Sequence, residues 1–259
     1  ADTQLRYFHF HLMSSHVSSG KRSEFAKFNP SLDPQLNLLS FWNEIAGRQV
    51  VDGKEIENSL LPHQINIIRN KYDNGVLQVD NRIWKILSKL QKKNYLKNSI
   101  IVVVGDHGDG LSEHGHVGHT RYLYQEDIRV PMLIIDNDLE KYKNATFATL
   151  MDIAPTLVER LGLKIPKTWE GQSILSPFTT RTTFHQTRRE GSPCYAVVTY
   201  EEFAFRKFIR CYQGEKFEDE FYDLKNDPEE SKNLMRAGSD KELQDMRSQL
   251  IERFNLKAG

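Results

Sequence analysis

Cysteine is almost absent. Cys194 and Cys211 are the two in 259 residues, too few for a dense disulfide scaffold and in a spacing that fits no metal knuckle. They can pair with each other or lie as buried thiols, and the sequence leaves both open. Charge of one sign is lacking too. Lys plus Arg and Asp plus Glu each number 35, so the formal charge is zero and the balance implies no polyanion-binding surface. A nucleic-acid partner is not expected. No apolar run approaches the ~20 residues that cross a bilayer, so no membrane segment is expected in this sequence. A Gly-x-Ser-x-Gly elbow is missing, which removes an α/β-hydrolase reading at its nucleophile. Glycine-rich phosphate cradles are missing as well. Gly105 to Gly110 resembles one only superficially, because Asp106 and His107 inside it would set a carboxylate against a pyrophosphate.

What is present is a steep edge. The β-branched run Ile100 to Val104 ends abruptly in Gly105-Asp106-His107-Gly108, which reads as a buried strand delivering two metal-ligand side chains at its carboxyl end. Neighbours within a strand point to opposite faces, but Gly108 frees the backbone to turn, so Asp106 and His107 can share one site. A carboxylate with an imidazole suits Zn, Mn or Fe, whereas calcium prefers oxygen ligands. His114, His116 and His119 follow on a loop too rich in glycine to be helical, and not all three need reach the site. His16 occupies the turn after the first strand, a position equivalent in layout to that of Asp106.

Around this edge the chain reads as α/β. Leu5 to Met13 alternates enough for a strand, followed by a polar turn and then by a loop-rich stretch from 21 to 58 with one or two short helices. Apolar residues recur at steps of three and four from Leu60 to Leu90, predicting an amphipathic helix with Pro62 in its first turn. Further strands are expected over 99–105 and 128–135, with Pro131 marking an edge or a strand start, and a helix over 147–161 that ends at Gly162. A Gly/Pro-marked switch near 171–177 divides an α/β domain, 1–176, from a smaller α+β subdomain, 177–259. The subdomain is expected to hold strands over 182–186, 195–200 and 203–212 and a closing helix over 241–254. Asn144-Ala145-Thr146 is a glycosylation sequon, meaningful only in a secreted eukaryotic protein.

These motifs resemble the sulfatases of the alkaline phosphatase superfamily. The resemblance rests on Gly105-Asp106-His107-Gly108, Glu113-His114-Gly115, Gly118-His119-Thr120, Leu123 to Glu126 and Ile128 to Pro131, then Met151 to Leu157 with Gly162-Leu163, and Gly171 to Leu175. Phe221 to Leu234 is similar to the family's C-terminal signature, and Phe10 to His16 to its strand and loop that bring a substrate-binding His to the site. The resemblance implies an alkaline-phosphatase-like layered sheet flanked by helices and hydrolysis of sulfate esters, of small molecules or glycans. It implies that Asp106 and His107 ligate one divalent ion (calcium, or manganese or zinc). It also implies that His16 contacts the transferred group or leaving oxygen, and that His119 stabilises charge or protonates the leaving group. Secreted, periplasmic or lysosomal placement goes with it.

The family's nucleophile, in a Cys/Ser-x-Pro-x-Arg motif converted to formylglycine, does not occur in this sequence. The resemblance therefore predicts that formylglycine and further metal-binding aspartates lie upstream of Ala1, and that this stretch alone does not turn over substrate. Two alternatives are weighed. One is a phosphoethanolamine or phosphoglycerol transferase, or another phosphoester enzyme of the same superfamily, suggested by Ser15-His16 and Phe25 to Pro30; the C-terminal signature favours the sulfatase. The other is a non-catalytic binding remnant, against which the intact Asp106, His107, His16 and His119 weigh.

Overall fold

The computed structural model describes residues 5–13, 23–29, 50–51, 54–55, 61–176, 179–187, 192–235 and 241–257. In chain order the elements are a 3-10 turn Ser23–Phe25, β1 Val50–Val51, β2 Lys54–Glu55, α1 Pro62–Lys92, β3 Ile101–Val104, β4 Gly110–Leu111, β5 Val117–Gly118, α2 Gln125–Ile128 and β6 Met132–Ile135. Two 3-10 turns, Leu139–Tyr142 and Leu150–Asp152, lead into α3 Ile153–Arg160, and β7 Thr180–Gln186, β8 Cys194–Glu201, β9 Phe205–Gln213, β10 Lys216–Asp223 and α4 Lys241–Phe254 follow. They sort into two compact units: Ala1–Lys97 with Asp109–Gly118, and Asn98–Gly108 with His119–Gly259.

In the first unit α1 starts as the proline predicts, with Pro62 at its first position and the Gln64 side chain accepting from the Leu61 N–H at 2.9 Å. Its buried stripe is Ile67, Ile68, Lys71, Asn74 and Gln78, more polar than the periodicity suggests. Asn74 accounts for one of its three polar residues. Its Oδ1 accepts from the Lys27 and Phe28 N–H groups and its Nδ2 donates to the Phe28 carbonyl, all at 2.9 Å, so the buried amide is satisfied by the 23–29 turn. Residues 5–13 form no strand, contrary to expectation. A ladder needs a neighbouring strand, and none pairs with them among the described residues.

The second unit is organised by a four-stranded antiparallel sheet in the order β10-β9-β8-β7. Period-2 alternation sends Cys194, Ala196, Val198, Ile209 and Tyr222 to one face, where Leu123, Tyr124 and Ile128 cover them. It sends Val197, Phe208 and Phe221 to the other, against Leu243, Met246 and Leu250 of α4. Cys194 and Cys211 lie opposite each other in the ladder and form a disulfide, which decides between the two readings of the cysteines. Strand β10 was not expected: KFEDEFYD carries four acidic residues, a composition that argues against a strand. The turn at Gly214, with φ of +62°, folds it back onto β9. The helix expected over 147–161 is shorter, because Phe147 instead stacks on Tyr200 at 5.2 Å and Thr149 and Asp152 form a capping box. Strand β6 starts directly after Pro131, as that residue predicts.

Asp152 ties this unit together. One carboxylate accepts from the Gln172 N–H, Arg181, the Thr149 N–H and the Thr149 hydroxyl, all within 2.7–2.9 Å. Thr156 extends the node by accepting from the Ile174 N–H and donating to the Asp152 carbonyl.

Candidate metal centre

Strand β3 pairs antiparallel with β6 and is half-buried rather than buried, because among the described residues β6 is its one ladder neighbour. The Gly105 N–H extends the ladder to the Pro131 carbonyl at 3.1 Å, and the chain then turns out of the sheet. The Gly108 N–H donates to the Asp127 carbonyl at 2.8 Å, and a Cβ at Gly108 would run into the Glu126 carbonyl. Glycine is therefore required by close backbone approach. The turn is pressed against α2.

This packing presents Asp106 and His107 together. Asp106 accepts from the His107 N–H at 3.1 Å, and its Oδ2 lies 3.8 Å from His107 Nε2. The opposite ring nitrogen, Nδ1, is 2.9 Å from the Gly108 carbonyl. A carbonyl only accepts, so Nδ1 carries the proton, and in the neutral ring Nε2 presents a lone pair toward the Asp106 carboxylate. Two ligands each ~2.0–2.4 Å from one ion stand roughly 3–4 Å apart. The 3.8 Å separation, and the tautomer that the Gly108 carbonyl implies, are compatible with two donors to a divalent cation, with the backbone orienting the imidazole from behind. The His119 ring lies against the His107 ring, centroids 3.9 Å apart and planes at 31°.

The structure thus sets Asp106 and His119 each against His107. His16 lies outside the described residues. His114 and His116 belong to the first unit, where the hairpin β4–β5 buries His116 and leaves His114 half-buried. A Cβ at Gly110 would meet His116 Nε2 at 2.5 Å, so that ring fills the space a side chain would take. Gln125 and Glu126 entered the sequence reading as part of the motif Leu123 to Glu126 and Asp127 did not, and that all three seat the Asp106 turn was not read from the sequence. Glu126 and Asp127 meet Gly108 through main-chain carbonyls, which leave no side-chain signature.

Residues 1–163 match the family model described as sulfatase, and residues 112–257 match that described as N-sulphoglucosamine sulphohydrolase, C-terminal. An arylsulfatase of Clostridium perfringens is 27% identical over 176 residues, 66% of this chain and 36% of the relative. An N-acetylglucosamine-6-O-sulfatase of Bacteroides thetaiotaomicron is 28% identical over 192 residues, 68% of this chain and 34% of the relative. The chain spans about a third of the length of these curated relatives. A protein solved with its substrate D-glucosamine-2-N,6-O-disulfate superposes with a TM-score of 0.59 at 24% identity, covering 76% of this chain and 43% of that one. That likeness shows the fold, the expected alkaline-phosphatase-like α/β layering.

Proposed function

The chain belongs to the sulfatase family, and we propose that it supplies part of a metal-dependent site that hydrolyses sulfate esters of sugars. The observation that carries the reading is the 3.8 Å approach of Asp106 Oδ2 to an His107 Nε2 whose lone pair is freed by the Gly108 carbonyl. A carboxylate and a neutral imidazole lone pair repel unless a proton or a cation lies between them. Asp106 and His107 would hold the ion, and the mixed oxygen and nitrogen donor set suits manganese or zinc better than calcium. The ion, when bound, would neutralise charge on the sulfuryl oxygens.

His119, packed on His107, is placed to hold a proton beside the site and hand it to the leaving oxygen; His16 is assigned to contact with the transferred group. No Cys/Ser-x-Pro-x-Arg motif occurs in this sequence, so no step is assigned to formylglycine. A sulfated sugar as substrate is supported by the N-acetylglucosamine-6-O-sulfatase relative and by the glucosamine disulfate bound in the structural neighbour. Residues 177–259, holding the four-stranded sheet and α4, are assigned as a C-terminal subdomain.

The test is Asp106→Ala in the protein that carries this chain. It is expected to lower hydrolysis of 4-nitrophenyl sulfate by about a hundredfold or more. A loss smaller than about tenfold, ~1.4 kcal/mol of barrier, would remove Asp106 from the site.

A further inference from the structure

We propose that the buried ion pair Lys207–Glu230 is a positioning device that sets the Asp106–His107 turn, an inference that rests on reading that turn as the metal site. Lys207 lies in the middle of β9, on the sheet face that carries Ile209 and Cys211. Its side chain and that of Glu230 are fully buried, and Nζ meets Oε1 at 2.7 Å. The other oxygen of Glu230 accepts from the Gln125 N–H at 2.6 Å, at the first residue of α2. Two residues on, the Asp127 carbonyl accepts from the Gly108 N–H, and the Glu126 carbonyl fills the space in front of the Gly108 Cα. The Gly108 carbonyl in turn holds His107 Nδ1. One ion pair and three hydrogen bonds, joined by the backbone from Gln125 to Asp127 and across Gly108, therefore link β9 to the imidazole within one compact unit.

Stability is a poor reason for such a pair. Two fully desolvated charges recover little more than their desolvation cost, and an apolar pair of similar volume is often as stable or more so. What the pair provides is direction. An apolar contact would let α2 slide or rotate against the sheet, whereas Glu230, held by Lys207, fixes the height of the Gln125 N–H. Through α2 it fixes the carbonyls against which Gly108 is seated. Glu230 itself takes a left-handed backbone conformation, φ +52°, uncommon for a residue with a side chain. This is consistent with a position specified by its contacts.

The experiment compares variants of the protein that carries this chain by two readouts. These are Mn2+ binding followed by the free-ion EPR signal, and the His107 tautomer read from imidazole 15N shifts without metal. Lys207→Met with Glu230→Leu removes both charges of the pair and the acceptor for Gln125, and with Lys207 the cation near the Glu126 and Asp127 carboxylates, a loss it shares with the Met/Gln variant. It is expected to weaken Mn2+ binding about tenfold or more and to turn the single Nδ1–H tautomer of His107 into a mixture. Lys207→Met with Glu230→Gln keeps an amide oxygen for the Gln125 N–H but loses the hold of Lys207 on it, and is expected to recover both readouts only in part; full recovery overturns the pair as the device. Asp219→Asn disturbs a comparably buried ion pair on the opposite sheet face, with Arg210 and Arg247. It is expected to lower the unfolding midpoint while leaving both readouts unmoved. Wild-type tautomer and Mn2+ affinity in the Met/Leu variant, or an equal change in Asp219→Asn, overturns the proposal. Asp106→Ala separates the two layers of inference. If Mn2+ binding survives it, the metal reading falls, and the tautomer comparison still decides whether the pair positions His107.

Discussion

Asp106 and Asp152 sit in the same compact unit and are treated in opposite ways. The Asp152 side chain is 2% exposed and accepts from four donors, among them Arg181 at 2.7 Å. The Asp106 side chain is 68% exposed and accepts from the N–H of its own neighbour. A carboxylate whose lone pairs are all taken by the protein is a structural tie, with nothing left to offer a ligand. One that is held by a turn, close to an imidazole lone pair and open to solvent, keeps its lone pairs for something that is not protein. The two aspartates share one side-chain chemistry and are told apart in the structure by what their oxygens already hold.

The contrast is broken most directly at Asp152. Asp152→Ala removes four acceptor interactions and leaves the Arg181 guanidinium, 6% exposed, without this carboxylate. The expected cost is about 3–5 kcal/mol of unfolding free energy in urea titration, as for other buried pairs broken on one side. A cost below about 1 kcal/mol would mean that the node is not a tie at all. Divalent metal binding per folded molecule should be unchanged.

How much of this was legible beforehand depends on whether a side chain or the backbone carries the function. The strand edge at Asp106-His107 was visible because a β-branched run stopped at two ligand-type residues. The starts of α1 and β6 were visible because Pro62 and Pro131 mark them. The seat of the turn was not, since the Glu126 and Asp127 carbonyls act there and every residue has a carbonyl. Strand β10 was missed because tertiary pairing overrode an acidic composition: Asp219 and Glu220 find Arg210 and Tyr124 as partners on opposite sheet faces. Lys207 was a faint signal, a lysine among the apolar residues of β9 at the parity of Ile209. Its partner lies 23 positions later in a turn that no periodicity predicts.

Asp136 is as buried and as fully bonded as Asp152, and it sharpens the comparison through pH. Burial raises its carboxyl, but the Arg160 side chain, which binds both of its oxygens, the Asp138 N–H and the Tyr142 hydroxyl together hold it below the usual carboxylate value. A depressed folded-state value means that the unfolded chain takes up the proton first as pH falls. The stability contributed by Asp136 is therefore fully present above the unfolded value near 4 and lost as pH drops through the lower folded one. Asp136→Asn should thus be less stable than wild type at pH 7, with the gap closing below about pH 4. A gap that stays constant with pH would show that packing, and not charge, holds this corner.

The smallest expected effect is the most discriminating. Asp106→Asn keeps the shape of the side chain and an acceptor for the His107 N–H, and it removes charge at an exposed position. Stability should then change by no more than about 0.5 kcal/mol, while affinity for Mn2+ falls, because an amide is a far weaker ligand for a hard cation than a carboxylate. The pairing of a silent denaturation curve with a lost metal signal is what separates a ligand from a tie. If Asp106→Asn instead destabilises the fold as Asp152→Ala does, its openness to solvent is misleading and Asp106 is a structural residue. If it changes neither readout, Asp106 is not a metal ligand and the 3.8 Å approach to His107 is a contact between two exposed side chains.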